Sequence, residues 1–243
     1  MTPPLFLIPD LGNGDTIVLT GAEAHHAATV KRLAVGEPAL LADGHGGLAE
    51  ARTGRVAPDR VVFQVVTRRR LPRPEPRLVV VQALPKGERA ELAVELLTEL
   101  GVDEIVPWSA DRAISQWKGD RVARGVAKWQ RVAQAAAKQS RRAWIPAVAE
   151  LAGSDEVARR ITGARLALLL QSGADQPLSR VEVPADGEVL LVVGPEGGLS
   201  PAELALFGEH GGWPVRLGGE VLRTSTAGAA ALAVLSVRAG RWG

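Results

Sequence analysis

The chain contains no cysteine among its 243 residues. That excludes a disulfide framework, thiolate metal sites and a cysteine nucleophile, and it leaves the redox compartment open. Histidine is scarce as well. His25, His26, His45 and His210 make up the whole set, none with metal-ligand spacing to acidic neighbours, so no metal is expected. The longest apolar helix candidate, Ala227 to Val237, is too short to span a bilayer. No basic segment followed by an apolar run opens the chain, so a secretory signal is not expected and the chain reads as soluble and cytoplasmic. An apolar content of 46% marks a globular protein, long enough for one large or two modest domains.

Net charge is only +2, but it is unevenly spread. Residues 111–145 carry nine basic side chains against two acidic ones, Asp111 and Asp120, a local net of +7. Residues 146–243 carry eight basic and eleven acidic groups, a net of −3. A basic segment in a nearly neutral protein fits contact with a phosphate backbone. A solvated helix face is the plainer explanation, but the acidic partners at i,i+4 that would balance such a face are mostly missing.

The pattern changes near residue 71. Before it, short β-like runs (Leu5–Ile8, Thr16–Leu19, Ala39–Ala42, Val61–Val66) are separated by turn signals such as Gly12-Asn13-Gly14-Asp15 and Asp43-Gly44-His45-Gly46-Gly47. They predict a small β-barrel or sandwich over residues 1–71, with one helix at Ala22–Leu33. Leu71-Pro72-Arg73-Pro74-Glu75-Pro76-Arg77 reads as a stiff, extended linker, so a boundary is placed at 72–77. From residue 78 to 243 the rhythm is α/β. Strands are expected at Leu78–Ala83, Ile105–Trp108, Leu166–Gln171 and Leu190–Val193, and helices at Glu88–Leu100 and Asp120–Arg142. Such alternation implies a mostly parallel sheet covered on both faces.

Two strand–loop–helix units stand out in that half. In the first, Leu190-Leu191-Val192-Val193 runs into Gly194-Pro195-Glu196-Gly197-Gly198. A helix start follows, with Ser200 as N-cap, Pro201 at the first helical position and Glu203 three after the cap. In the second, Pro214 to Leu217 leads through Gly218-Gly219 and Leu222-Arg223 to a helix beginning near Thr224. Loops at strand C-termini are where open α/β sheets bind ligands, and these two can face one pocket. Neither is a spaced dinucleotide fingerprint or a Walker loop.

The chain resembles the ribosomal small-subunit RNA methyltransferase E family. The residues that carry the resemblance are Leu84-Pro85-Lys86-Gly87 with Glu88-Arg89, and Glu99-Leu100-Gly101-Val102 with Ile105 and Pro107. Next come Trp129, and Gln139-Ser140-Arg141-Arg142 with Pro146. The last two groups are Gly194-Pro195-Glu196-Gly197-Gly198 with Ser200 and Glu203, and Leu222-Arg223 with Thr226-Ala227 and Ala231-Leu232. The resemblance covers nearly the whole chain. The family pattern usually has an acidic residue before the threonine of the last motif, and Ser225 stands there.

The resemblance implies an N-terminal PUA-like β-barrel that holds RNA and a C-terminal SPOUT methyltransferase domain with a trefoil knot. It also implies a homodimer, S-adenosyl-L-methionine as methyl donor, and methylation of N3 of a uridine in 16S rRNA of the small ribosomal subunit. The donor set it implies is Leu170, Gly194, Glu196, Gly197, Gly198, Leu217, Gly218, Leu222, Thr224, Ser225 and Thr226. Catalytic candidates are Arg223, Glu196 and Thr226. Arg223 either holds a phosphate or developing uridine anion, or forms a surface ion pair; Glu196 acts as base or hydrogen-bond partner, or only organises its loop. RNA contacts are expected from Lys31, Arg32, Lys86, Arg112, Gln139, Arg141 and Arg142, which would bind phosphates and set register. Trp129 is expected in the core and Trp144 as a base-stacking platform. Three other readings stand beside this one: a ribose 2′-O-methyltransferase, a non-catalytic ribosome assembly factor, and a nucleotide-binding metabolic enzyme. The last leaves the basic segment unexplained.

Overall fold

The structure is a computed structural model that describes residues 2–242. The chain divides into two compact units, residues 1–73 with 137–145 and residues 74–136 with 146–243.

In the first unit, β1 (Leu5–Leu7), β2 (Thr16–Thr20), β3 (Pro38–Ala42), β4 (Gly47–Ala57) and β5 (Arg60–Arg70) form a sheet in the order β1-β3-β4-β5-β2. β1 and β3 are parallel and the other pairs antiparallel. β2 shows why one face is covered: Ile17 and Leu19 point inward while Thr16, Val18 and Thr20 face solvent. Phe6, Leu41 and Phe63 join them in one core. Ala24 and Ala27 close that core from α1 (Gly21–His25) and the turn His26–Val30. The single helix expected over Ala22–Leu33 is therefore split. Its second half is a π turn in which Lys31 N–H donates to His26 O, five residues back, at 2.9 Å.

The first unit ends close to the linker expected at 72–77, and it also takes in the segment 137–145 from the end of α3 onward. Gly46 N–H donates to Ala143 O at 3.0 Å and Ile145 N–H to Gly44 O at 3.0 Å. The Trp144 ring lies where a side chain on Gly46 would be, and its Nε1–H donates to the carbonyls of Leu71 and Pro72 at 3.2 and 3.1 Å. Local sequence pattern does not announce such long-range pairing.

In the second unit, β6 (Arg77–Ala83), β7 (Glu104–Trp108), β8 (Ala147–Val148), β9 (Leu166–Leu170), β10 (Glu188–Val193) and β11 (Trp213–Val215) form a wholly parallel sheet. Its order is β11-β9-β10-β6-β7-β8. Both faces are covered, which explains the unbroken apolar runs of β6 and β10. Leu78, Val80, Leu191 and Val193 face α2 (Arg89–Glu99), α3 (Asp120–Gln139) and α6 (Thr224–Arg238), through Leu97, Trp129 and Leu232. Val79, Val81, Leu190 and Val192 face α4 (Ser154–Gly163) and α5 (Pro201–Glu209), through Ile161 and Phe207. α3 stops at Gln139, three residues before the expected end, because Arg141 takes φ 59.

Candidate active site

A cavity of about 580 Å³ in this unit opens at the carboxyl ends of the central strands. Its floor is Leu170 and Gln171 from the end of β9, Val193 from β10, and Thr224 and Ala227 from the first turn of α6. The chain leaves β9 and β10 toward opposite faces. Leu178 and Val181 pack with the α6 side and Phe207 with the α5 side, so the cavity sits where the connections diverge. That size suits a single small-molecule ligand.

One wall is the loop Gly194–Leu199. Gly198 has φ +70, a conformation that other residues adopt at a cost, and it lets the chain reverse into α5. The reversal is fixed by a capping box. Glu203 N–H donates to Ser200 Oγ at 3.1 Å, and Ser200 N–H donates to Glu203 Oε2 at 2.7 Å. Glu203 is only 2% exposed, yet its other oxygen, Oε1, also accepts from Asp111 N–H at 2.8 Å. Ser200 Oγ in turn donates to Asp111 Oδ2 at 2.8 Å. A buried carboxylate with this many donors is a rigid node that ties the glycine loop to residues 109–113.

The second wall is Leu217–Arg223, the loop between β11 and α6. Its tip is exposed, with Val221 at 84%. The cavity therefore combines leucine side chains, backbone groups brought close by glycine, two carboxylates (Glu196, Glu220) and two guanidinium groups (Arg112, Arg223). Apolar walls of this kind accept a flat ring, and backbone groups brought close by glycine can pair with its polar edge.

Of the expected donor residues, Leu170, Gly194, Glu196, Gly197, Gly198, Leu217, Gly218, Leu222 and Thr224 line this cavity. Arg223 lines it too, whereas Ser225 and Thr226 do not. Ser225 is buried at 3% in α6, and Thr226 faces outward with its N–H bonded to Arg223 O at 2.8 Å. The sequence reading missed Gln171 and Ser172, which follow a strand end without any motif, and placed Arg112 on RNA alone. Arg112 forms part of the cavity wall, where Nη1 donates to the carbonyls of Gly197 and Leu199 at 3.1 and 3.3 Å.

The other expected RNA contacts lie outside the cavity. Lys86 is exposed after β6, in the second unit. In the first unit, Lys31, Arg32, Gln139 and Arg141 are exposed and Arg142 is half-buried. The helical turns that carry them are joined there by Lys138 and Glu23, 2.7 Å apart. His26 lies in this region with a pKa held below the usual imidazole value, first by burial and then by the nearby Lys138 charge. Trp129 is buried in the core at 1% exposure. The stacking role expected of Trp144 meets a ring already engaged, with the Arg73 guanidinium 4.7 Å from its centroid. Among the described residues no group of three or more His, Asp or Glu side chains could hold a metal, and no helix is long and apolar enough to cross a membrane.

A family model described as an RNA methyltransferase domain matches residues 73–236, and one described as an RNA methyltransferase PUA domain matches residues 19–66. The chain is similar to the ribosomal RNA small subunit methyltransferase E of Mycobacterium tuberculosis, at 41% identity over all of this chain and 94% of that protein. It is 28% identical to the protein of the same name from Bacillus subtilis, over 91% of this chain and 90% of that one. Among solved structures, the ribosomal RNA small subunit methyltransferase E of Neisseria gonorrhoeae bound to S-adenosyl methionine superposes with a TM-score of 0.86. That match has 27% identity and covers 97% of this chain and 98% of the other.

Proposed function

The chain belongs to the ribosomal RNA small subunit methyltransferase E family, and from that premise we propose that it methylates N3 of a uridine in 16S rRNA of the small ribosomal subunit, with S-adenosyl-L-methionine as donor. The observation that carries the reading is the meeting of the two glycine loops on one cavity at the strand ends. The cavity fits the donor. Leu170, Leu217 and Leu222 offer apolar surface for an adenine, and Gly194, Gly197 and Gly218 bring backbone groups within reach of its polar edge. Bound there, the donor supplies an activated methyl group.

The protein's own contribution is position and charge. Gly197 and Gly198 set the shape of the wall, and Glu203 holds that wall in place from behind. Arg223 presents a guanidinium to the target base, and Glu196 a carboxylate that accepts a hydrogen bond. The absence of the family's usual acid before Thr226 does not strip the cavity, because the side chain at 225 is buried in α6 and lines none of it.

Residues 1–71 act as the PUA-like RNA-holding domain, 72–77 as linker and 78–243 as a SPOUT methyltransferase domain that lends its segment 137–145 to the first compact unit; the protein works as a cytoplasmic homodimer. A trefoil knot in the C-terminal domain is part of the same reading and rests on the family membership. Lys31, Arg32, Lys86, Gln139, Arg141 and Arg142 hold RNA phosphates.

The deciding experiment uses labelled S-adenosylmethionine and small ribosomal subunits from cells lacking the enzyme, followed by nucleoside analysis. The label is expected on uridine N3. Label on a ribose would replace the reading with 2′-O-methylation. No label, despite tight donor and subunit binding, would make the protein an assembly factor.

A further inference from the structure

Arg112 is set apart from the rest of the basic segment by its surroundings. Arg121 to Lys138 lie on α3 and Lys118 just before it, whereas Arg112 alone of the segment's cations lines the cavity wall. Three features fix its aim. Nη1 is committed to the carbonyls of Gly197 and Leu199. Arg112 is itself exposed, but Ala113 after it and Ala110 two residues before it are buried and anchor its backbone. Asp111, the residue before it, is pinned through its N–H to buried Glu203 and through its carboxylate to Ser200. The node that shapes the glycine loop thus also orients this guanidinium. No carboxylate among the described residues pairs with Arg112, and its Nε–H and Nη2–H groups make no hydrogen bond to those residues.

We infer that Arg112 is a second electrostatic catalyst at this cavity, acting with Arg223 to stabilise the uridine anion formed when N3 loses its proton. The inference rests on the proposed reaction. Uridine N3 is a weak acid, and neither glycine loop contains a histidine to take its proton. Arginine does not accept protons, so Arg112 works by charge alone. In the balanced step, the N3 proton passes to solvent water. The N3 electron pair then forms the bond to the methyl carbon while the sulfur–carbon bond breaks and its pair stays on sulfur. A fixed cation beside N3 lets a larger fraction of bound uridine ionise at a given pH. It does so without reorganising during the reaction, because the loop is already pinned.

The test compares wild type with Arg112→Ala and Arg112→Lys in single-turnover methylation of small subunits across pH 6.5 to 9.5, with donor affinity measured by calorimetry. For Arg112→Ala the rate at neutral pH is expected to fall about a hundredfold. The ascending limb of its pH profile should move to higher pH, so that the deficit shrinks as the medium becomes alkaline. Arg112→Lys, which keeps the charge, should recover part of the neutral rate. A deficit of equal size at every pH, accompanied by weaker donor binding, would reduce Arg112 to a wall-building residue and overturn the inference. An unchanged rate would overturn it as well. Wild-type product at an atom other than N3 would overturn the reaction itself, whereas N3 product with an indifferent variant removes only the role of Arg112.

Discussion

Arg32 and Arg141 are the two non-glycine residues with positive φ among those described, at 52° and 59°. Each ends a helical segment in the conformation that glycine adopts at that position with least cost. Arg141 follows the last turn of α3, where Arg142 N–H returns to Ala137 O at 2.8 Å, and Arg32 follows the π turn. A backbone strain of this kind, kept at two exposed arginines of one unit, fits side chains retained for their charge. Arg141→Gly and Arg32→Gly should each stabilise the fold by about 0.5–1 kcal/mol. Each should also weaken RNA binding and lower the slope of log affinity against log salt by about 1. Urea unfolding and RNA titrations at several salt concentrations give both readouts; a destabilised variant with unchanged RNA affinity would count against the assignment. The excess of basic side chains over residues 111–145 made Arg141 legible as a cation, whereas Arg32 lies outside that segment, and backbone dihedrals carry no compositional mark. The same limit hid Gln171 and Ser172, which reach the cavity only because β9 ends there.

At the scale of elements, the parallel strands and α5 were legible for a physical reason. Burial on both faces forces unbroken apolar runs such as Leu190–Val193, and Ser200, Pro201 and Glu203 state the helix start in three residues. β4 was missed because its Gly, Ala and Arg content masks the alternation, and α4 because it is short, with four of its ten residues charged. α6 packs closely enough on the sheet that its spacing depends on one absent side chain. A Cβ on Gly228 would lie 3.2 Å from Gln82 Oε1, 3.2 Å from Val193 Cγ2 and 3.4 Å from Leu97 Cδ2. Those three neighbours are all buried and have little room to move. Gly228→Ala gains about 1 kcal/mol in helix propensity. Overpacking at a rigid site costs about 1–3 kcal/mol, so the net effect should be destabilising. Because α6 begins at the cavity floor with Thr224, the variant should also bind the donor more weakly. A variant more stable than wild type in urea would show that the sheet yields there and that the close approach has no structural role.

At the scale of the whole molecule, the two compact units carry different halves of the proposed work. The exposed arginines in helix-terminal positions belong to the first, and the donor cavity lies wholly within the second. A ligand that binds only the folded cavity stabilises what it touches by RT ln(1 + [L]/Kd), about 2.7 kcal/mol at a hundred times Kd. Hydrogen exchange locates where that stability appears. With saturating S-adenosylmethionine, amides of β9, β10 and α6 that exchange through unfolding of the second unit should gain protection of this size. Amides of the β4–β5 hairpin should exchange at their original rates. Replacing Gly198, at φ +70, with valine should erase the gain, since a β-branched residue disfavours the backbone conformation that shapes the wall. Equal protection of both units would mean that they unfold as one cooperative body. Protection confined to the first unit would place the donor somewhere other than the two glycine loops. The predicted pattern follows from topology. The sheet order brings the ends of β9 and β10 side by side and sends their connections to opposite faces, so a ligand there bridges segments that the chain visits separately.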